Sequence, residues 1–130
     1  ERGYGRIVNI SSAHGKVASV NKAAYCAAKH GVIGLTKVTA LETAGTGVTA
    51  NAVCPGWVLT PLVRKQIEMR AVQSGRSVDD ETTARVSEKM PSGQPVRPEH
   101  LGQMVAFLCS EAGEQITGAE LLMDGGWTAQ

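Results

Sequence analysis

This chain lacks an excess of either charge. Its 13 Lys and Arg against 12 Asp and Glu leave a net charge of +1, too little to imply nucleic acid or an acidic membrane surface as a partner. It lacks any apolar run long enough to span a bilayer, and no signal-peptide pattern is read in it. Aromatic residues are few, at 4%, whereas Gly is frequent, at 15 residues. Cysteine is sparse. Cys26, Cys54 and Cys109 are odd in number, carry no metal-ligand spacing, and read as reduced cytosolic thiols acting as small core residues. A G-x-G-x-x-G loop is also missing. Gly45-x-Gly47 joins a helix to a strand, the wrong order for a phosphate-binding turn, and reads as a helix stop.

What is present is an alternation of strands and helices in a length sufficient for one domain. Arg6–Ile10 reads as a buried strand ended by Ser11-Ser12. Asn21 is the expected N-cap of a helix over Lys22–Thr43. In that helix Ala24, Ala28, Gly31, Leu35 and Val38 recur at helical spacing and would let another backbone approach closely. Val48–Cys54 is a second strand, ended by Pro55-Gly56. Thr60-Pro61 fits an N-cap followed by Pro at the first helical position, opening a helix over Leu62–Val72. Ser74–Gln94 is polar and weakly periodic and reads as a mobile excursion rather than core. Pro98-Glu99 opens a helix through Cys109, and Leu121–Met123 is a third strand, ended by Asp124-Gly125-Gly126. The order β-α-β-α-α-β predicts a parallel α/β sheet. Such sheets are covered on both faces, and three strands with two main helices are thin for that. The missing initiator Met and the open edge of the first strand carry the expectation of more sheet N-terminal to residue 1.

Ligands of open parallel sheets bind beyond the carboxyl ends of the strands. Here those ends are Ser11-Ser12, Pro55-Gly56-Trp57 and Asp124-Gly125-Gly126. Tyr25 and Lys29 lie four apart on one helix face, with Ser12 thirteen positions upstream of Tyr25. A phenol ionises near pH ~10 and is a poor base at neutrality. A fixed ammonium beside it favours the phenolate, which would make Tyr25 a working general acid/base. Lys22 joins them at i, i+3 and i+7. Each residue alone has a plainer reading: a surface Tyr beside a solvated Lys, a turn serine, a loop histidine at His14, an exposed Gln66, packing tryptophans at Trp57 and Trp127. A cation at a helix N-terminus opposes the helix dipole, so the placement of Lys22 favours a specific anionic partner.

Asn9-Ile10-Ser11-Ser12, Tyr25-x-x-x-Lys29, Asn51-Ala52-Val53-Cys54-Pro55-Gly56-Trp57-Val58-Leu59-Thr60 and Asp124-Gly125-Gly126 together resemble the C-terminal half of a short-chain dehydrogenase/reductase. The resemblance covers essentially the whole chain. It implies an α/β fold, the C-terminal half of a doubly wound parallel-sheet Rossmann-type domain over residues 1–130, with a lid-like excursion over about 61–94. It assigns Ser12, Tyr25 and Lys29 to catalysis. Tyr25 would exchange a proton with the carbinol oxygen, Ser12 would position that oxygen, and Lys29 would hold the nicotinamide ribose. Pro55, Gly56, Val58 and Thr60, with Tyr25 and Lys29, would contact the cofactor, expected to be NAD.

Ser12–Gly15, Asn21–Tyr25, Cys54–Val63, Lys65–Ile67, Leu108–Ala112 and Asp124–Trp127 resemble the family members that interconvert short D-3-hydroxy acids and 3-oxo acids. That implies His14, Lys22 and Gln66 on the substrate carboxylate, with Trp57 and Trp127 as apolar walls. It further implies a small-molecule substrate, no metal, a cytoplasmic setting and a homotetramer. A carrier-bound 3-oxoacyl reductase and a non-catalytic assembly module of the same fold are the alternatives. The family's glycine-rich phosphate loop, ribose selector and remaining active-site Asn belong to its N-terminal half, so the isolated chain is expected to be inactive.

Overall fold

The structure, a computed structural model, describes residues 3–130. Three parallel strands form one sheet in the order β1 (Gly5–Ile10), β2 (Val48–Pro55), β3 (Glu120–Met123). The register runs from Gly5 opposite Val48 to Ile10 opposite Val53, and from Ala52 opposite Glu120 to Pro55 opposite Met123. Residues 49–55 of β2 are all buried. Side chains alternate between faces along a strand, so β2 is covered on both. Helix α1 (Ala23–Glu42) covers one face, where its Ile33 packs on Ala52 and Cys54. Helix α4 (Pro98–Cys109), opened by Pro98, packs along β1 and buries Leu108 completely. Asn51 ties β2 to the approach of β3: its amide donates to the Ile116 carbonyl at 2.6 Å and accepts from the Ala119 N–H at 3.0 Å. No helix among the described residues is long and apolar enough to cross a membrane.

Two expectations are corrected, and the small-residue stripe of α1 is given a direction. Asn21 is not the N-cap of α1. It sits at φ 63, a left-handed conformation that Asn tolerates, and Lys22 occupies the cap position without a side-chain hydrogen bond. The stripe Ala24, Ala28, Gly31, Leu35, Val38 faces solvent, while Cys26, Ile33, Thr36 and Ala40 face inward. Both stripes have helical spacing, and periodicity alone does not say which one meets the sheet. Of the three cysteines, Cys26 and Cys54 are buried as expected, but Cys109 is exposed.

The segment read as an excursion outside the core is more ordered than its polarity suggested. Helix α2 (Pro61–Ser74) starts as predicted, with Thr60 Oγ1 accepting from the Val63 N–H at 3.3 Å. After Gly75 in the left-handed region comes helix α3 (Val78–Ser87), capped by Ser77, whose hydroxyl accepts from the Asp80 N–H at 3.0 Å. Asp79, Asp80 and Glu81 in its first turn suit the helix dipole. Val86 and Met90 then enter a core cluster with Ala13, Val96 and Trp127. Two buried side chains in a charged stretch carry no periodic signal, which is why the sequence does not reveal them.

Candidate active site

The first wall of the site is built where β1 ends against α1. The Ser11 N–H continues the ladder to the Val53 carbonyl at 2.8 Å, and the Ser11 hydroxyl donates to the Lys29 carbonyl at 2.9 Å. The Lys29 ammonium returns the connection, donating to the Ile10 carbonyl at 3.1 Å. A short 3₁₀ turn, Ala13–Gly15, follows. Gly15 lets that turn lie directly on α1: a Cβ there would stand 2.6 Å from Ile33 Cδ1 and 2.7 Å from Ser11 Oγ. The turn therefore sets Ser12 and His14 beside Tyr25.

Ser12 is buried and extended, and its Oγ accepts from the His14 N–H at 3.1 Å. That bond uses the oxygen and leaves the hydroxyl proton free to donate. The His14 ring meets Tyr25 edge to face at 5.7 Å and Trp127 at 4.9 Å, and its Nε2 pairs with Ser19 Oγ at 3.0 Å. Burial, and then the Lys22 and Lys89 ammoniums, hold the His14 pKa below its ordinary value. The imidazole is thus a neutral hydrogen-bonding group rather than a third cation. The Lys29 ammonium lies 5.6 Å from the centre of the Tyr25 ring, so the pair sits together as the spacing predicts.

The strand ends supply the floor. Gly56, just past the end of β2, has no room for a side chain: a Cβ would meet Met90 Sδ at 2.9 Å and Asp124 Cα at 3.1 Å. From Gly56 to Thr60 the backbone is pinned: Gly56 donates to Met123, Leu59 to Val96 and Thr60 to Val58, and Trp57 accepts from Val96. The Val58 N–H has no acceptor among the described residues. At the end of β3 the Asp124 carboxylate accepts from the Gly126 and Thr128 N–H groups and from the Thr128 hydroxyl. Burial opposes its charge, but the Thr128 and Gly126 bonds outweigh this and hold the carboxyl below its usual range. This turn carries Trp127 into the site, where it is buried against His14.

A cleft of about 370 Å³ results. Of the residues predicted for the site, Ser12, His14, Lys22, Tyr25, Gly56, Trp57, Val58 and Trp127 line it. Lys29 stands behind Tyr25 on the Ile10 carbonyl, Pro55 is buried at the strand end, and Thr60 is occupied as a helix cap. Gln66 is not brought to the cleft. It lines a neighbouring cavity of about 250 Å³. Sequence reasoning missed Ser19, Arg85, Glu88 and Lys89, all of which line the cleft. The last three come from α3 and the turn after it, and only recognition of that helix would have placed them.

Fold and cleft together define a class: a parallel α/β protein whose ligand cleft opens at the carboxyl ends of its strands, with Ser, Tyr and Lys gathered there. The family model described as enoyl-(acyl carrier protein) reductase, a short-chain dehydrogenase/reductase domain, matches residues 1–128. The chain belongs to the short-chain dehydrogenase/reductase family. It is 60% identical over 130 residues to the D-beta-hydroxybutyrate dehydrogenase of Cupriavidus necator, covering 100% of this chain and 50% of that protein. A solved structure of an actinorhodin polyketide ketoreductase variant with NADPH superimposes with a TM-score of 0.85 at 40% identity, covering 99% of this chain and 49% of that one. One of 4-hydroxyisoleucine dehydrogenase complexed with NADH gives a TM-score of 0.74 at 30% identity, covering 96% and 47%. The chain spans about half the length of the curated relatives it matches.

Proposed function

We propose that these residues form the catalytic half of a dehydrogenase that interconverts a short D-3-hydroxy acid and its 3-oxo acid with NAD. The observation that carries this reading is the make-up of the cleft: a serine and a tyrosine suited to a carbinol oxygen, flanked by His14 and Lys22 for a carboxylate. The 60% identity to a D-beta-hydroxybutyrate dehydrogenase supports the same substrate class.

In this reading Tyr25 gives a proton to the carbonyl oxygen during reduction and takes it back during oxidation. The free Ser12 proton donates to the same oxygen and fixes its position. Lys22 pairs with the carboxylate, and neutral His14 donates a ring N–H to it. Trp57 and Trp127 exclude water from the reacting carbon. The residues present fit the nicotinamide end of the cofactor: the unpaired Val58 N–H is a donor for an amide oxygen, and Lys29 stands between Tyr25 and the end of β1. The bound dinucleotide would supply or accept the hydride. Pro55, Gly56 and Thr60 would shape that end of the site. Gln66 would reach the carboxylate only if residues 61–94 close over the cleft as a lid. NAD rather than NADP is proposed from the family resemblance.

The open edge of β1, with Ile7 and Ile10 exposed on it, supports an N-terminal half that completes the sheet and carries the phosphate loop. The exposed Leu35 and Val38 on α1, beside Gly31, suit a homotetramer interface. A cytoplasmic setting belongs to the same proposal. A 3-oxoacyl carrier-bound reductase is the second reading, favoured by the family model's description and the ketoreductase likeness. NADH oxidation with acetoacetate, by a polypeptide that includes the N-terminal half, tests the first reading. Reduction of a 3-oxoacyl thioester with acetoacetate left untouched would replace it with the second. Residues 1–130 alone should be inactive, and turnover by them would overturn the half-site proposal.

A further inference from the structure

We propose that the cavity between α2 and α3 is a subsite for a second carboxylate, carried on a short apolar stem by the molecule whose other end occupies the cleft. The proposal rests on the substrate reading above and extends it to 3-oxo dicarboxylic acids. The cavity, of about 250 Å³, gathers Arg70 and Arg85 with the amides of Gln66 and Gln73 over an apolar floor that includes Trp57 and Val63. No acidic residue lines it. Arg70 makes no ion pair among the described residues. Arg85 stacks over the Trp57 ring at 4.8 Å and pairs at 3.1 Å with Glu88, which lines the cleft rather than this cavity.

Arg70 has no carboxylate partner among the described residues and shares the cavity lining with Arg85, whose one carboxylate partner is Glu88, so an anion entering the cavity meets an unneutralised guanidinium. The planar forks of the two arginines, with two amide donors, match a carboxylate's lone pairs. The apolar floor asks for methylenes attached to it. The cleft and the cavity share Trp57, Val63 and Arg85 as a common wall. A chain anchored at Lys22 in the cleft can therefore cross at Trp57 and end between the arginines. The shared wall is what selects a tethered carboxylate over a free anion.

The test is calorimetric binding of glutarate, adipate and pimelate, each beside the monocarboxylate of equal chain length, to the polypeptide that includes the N-terminal half. At least one dicarboxylate should bind about tenfold or more tightly than its partner, the scale of one charge-assisted contact. Arg70→Gln should erase that advantage, and Arg70→Lys should keep part of it. Equal binding within every pair, or an advantage indifferent to Arg70→Gln, overturns the subsite. Because binding needs no turnover, a protein that fails to reduce acetoacetate yet shows an Arg70-dependent advantage sinks the proposed reaction and leaves the subsite standing.

Discussion

The two walls of the cleft are made in different ways. The Ser12–Tyr25–Lys29 wall hangs on the sheet: Ser11 and Lys29 lock β1 to α1 in both directions, and Gly15 lets the intervening turn touch the helix. The opposite wall, Arg85, Glu88 and Lys89, stands on a short helix whose charged side chains pair at the surface. Exposed pairs of this kind contribute little to stability. In the proposed reaction the first wall would hold the reacting atoms, where small displacements cost large factors in rate. The second would face parts of the substrate that do not react, other than the carboxylate proposed for Lys22 and His14. In the proposed reaction the chemistry would therefore stand on the sheet-anchored side, with Lys22 and His14 beside it, and the second wall would present only charged side chains held by a short helix.

The sharpest way to break that division is Tyr25→Phe. With the phenol gone, the proposed proton exchange at the carbinol oxygen loses its acid/base and keeps only the Ser12 hydrogen bond, and kcat should fall by about 10²–10⁴-fold, the range for general acid–base groups. Cofactor affinity, followed by NADH fluorescence in the polypeptide that includes the N-terminal half, should change little. A turnover loss matched by lost NADH binding would mean that Tyr25 is structural.

Next in size is Met90→Ala. Met90 is 1% exposed and shares a core cluster with Ala13, Val86, Val96 and Trp127. Large-to-small changes of this kind cost about 2–5 kcal/mol, measurable by urea unfolding. A negligible cost would mean that the second wall is not anchored at all, and the contrast between the walls would be one of order against looseness. A full cost places any adjustability of that wall in its surface charges alone.

Lys22→Ala comes third. Losing one charge-assisted contact to the carboxylate should raise the acetoacetate KM by about 10–100-fold while kcat holds. Lys22 bridges the comparison, since its backbone stands at the cap of α1 while its side chain would serve the substrate in the proposed reaction. An unchanged KM would take Lys22 out of carboxylate recognition and leave that role to His14 or to the second wall.

These residues also show where sequence reading succeeds. Tyr25, Lys29 and Ser12 were legible because spacing on one helix and at one strand end translates directly into proximity, whereas Lys22 lines the cleft from the cap position just before that helix. Asn51 was legible only as part of a motif, and its role as a clamp on Ile116 and Ala119 needs the loop before β3 to be in place. Arg85, Glu88 and Lys89 were not legible. Their helix is polar, and it is fixed by a Ser77 cap and two buried residues rather than by a repeating apolar face. The inward stripe of α1 was hidden for the opposite reason: two faces of that helix are equally apolar in pattern, and only the sheet chooses between them.

The smallest expected effect joins the walls through His14. Its pKa is lowered first by burial and then by Lys22 and Lys89, one cation from each side of the cleft. A histidine held below its ordinary 6.5 binds fewer protons folded than unfolded around that pH. Its contribution to stability is therefore present above 6.5 and is lost as pH falls through the folded pKa. The acetoacetate KM should show no His14 step at 6.5, and should fall only at more acidic pH, where the ring gains charge beside the carboxylate. Lys89→Met removes the smaller of the two cationic influences. The His14 titration, followed by the NMR shift of its ring protons, should then move up toward 6.5 without reaching it, because burial and Lys22 remain. If it does not move, Lys89 is too well solvated to act across the cleft, and the two walls are electrically independent.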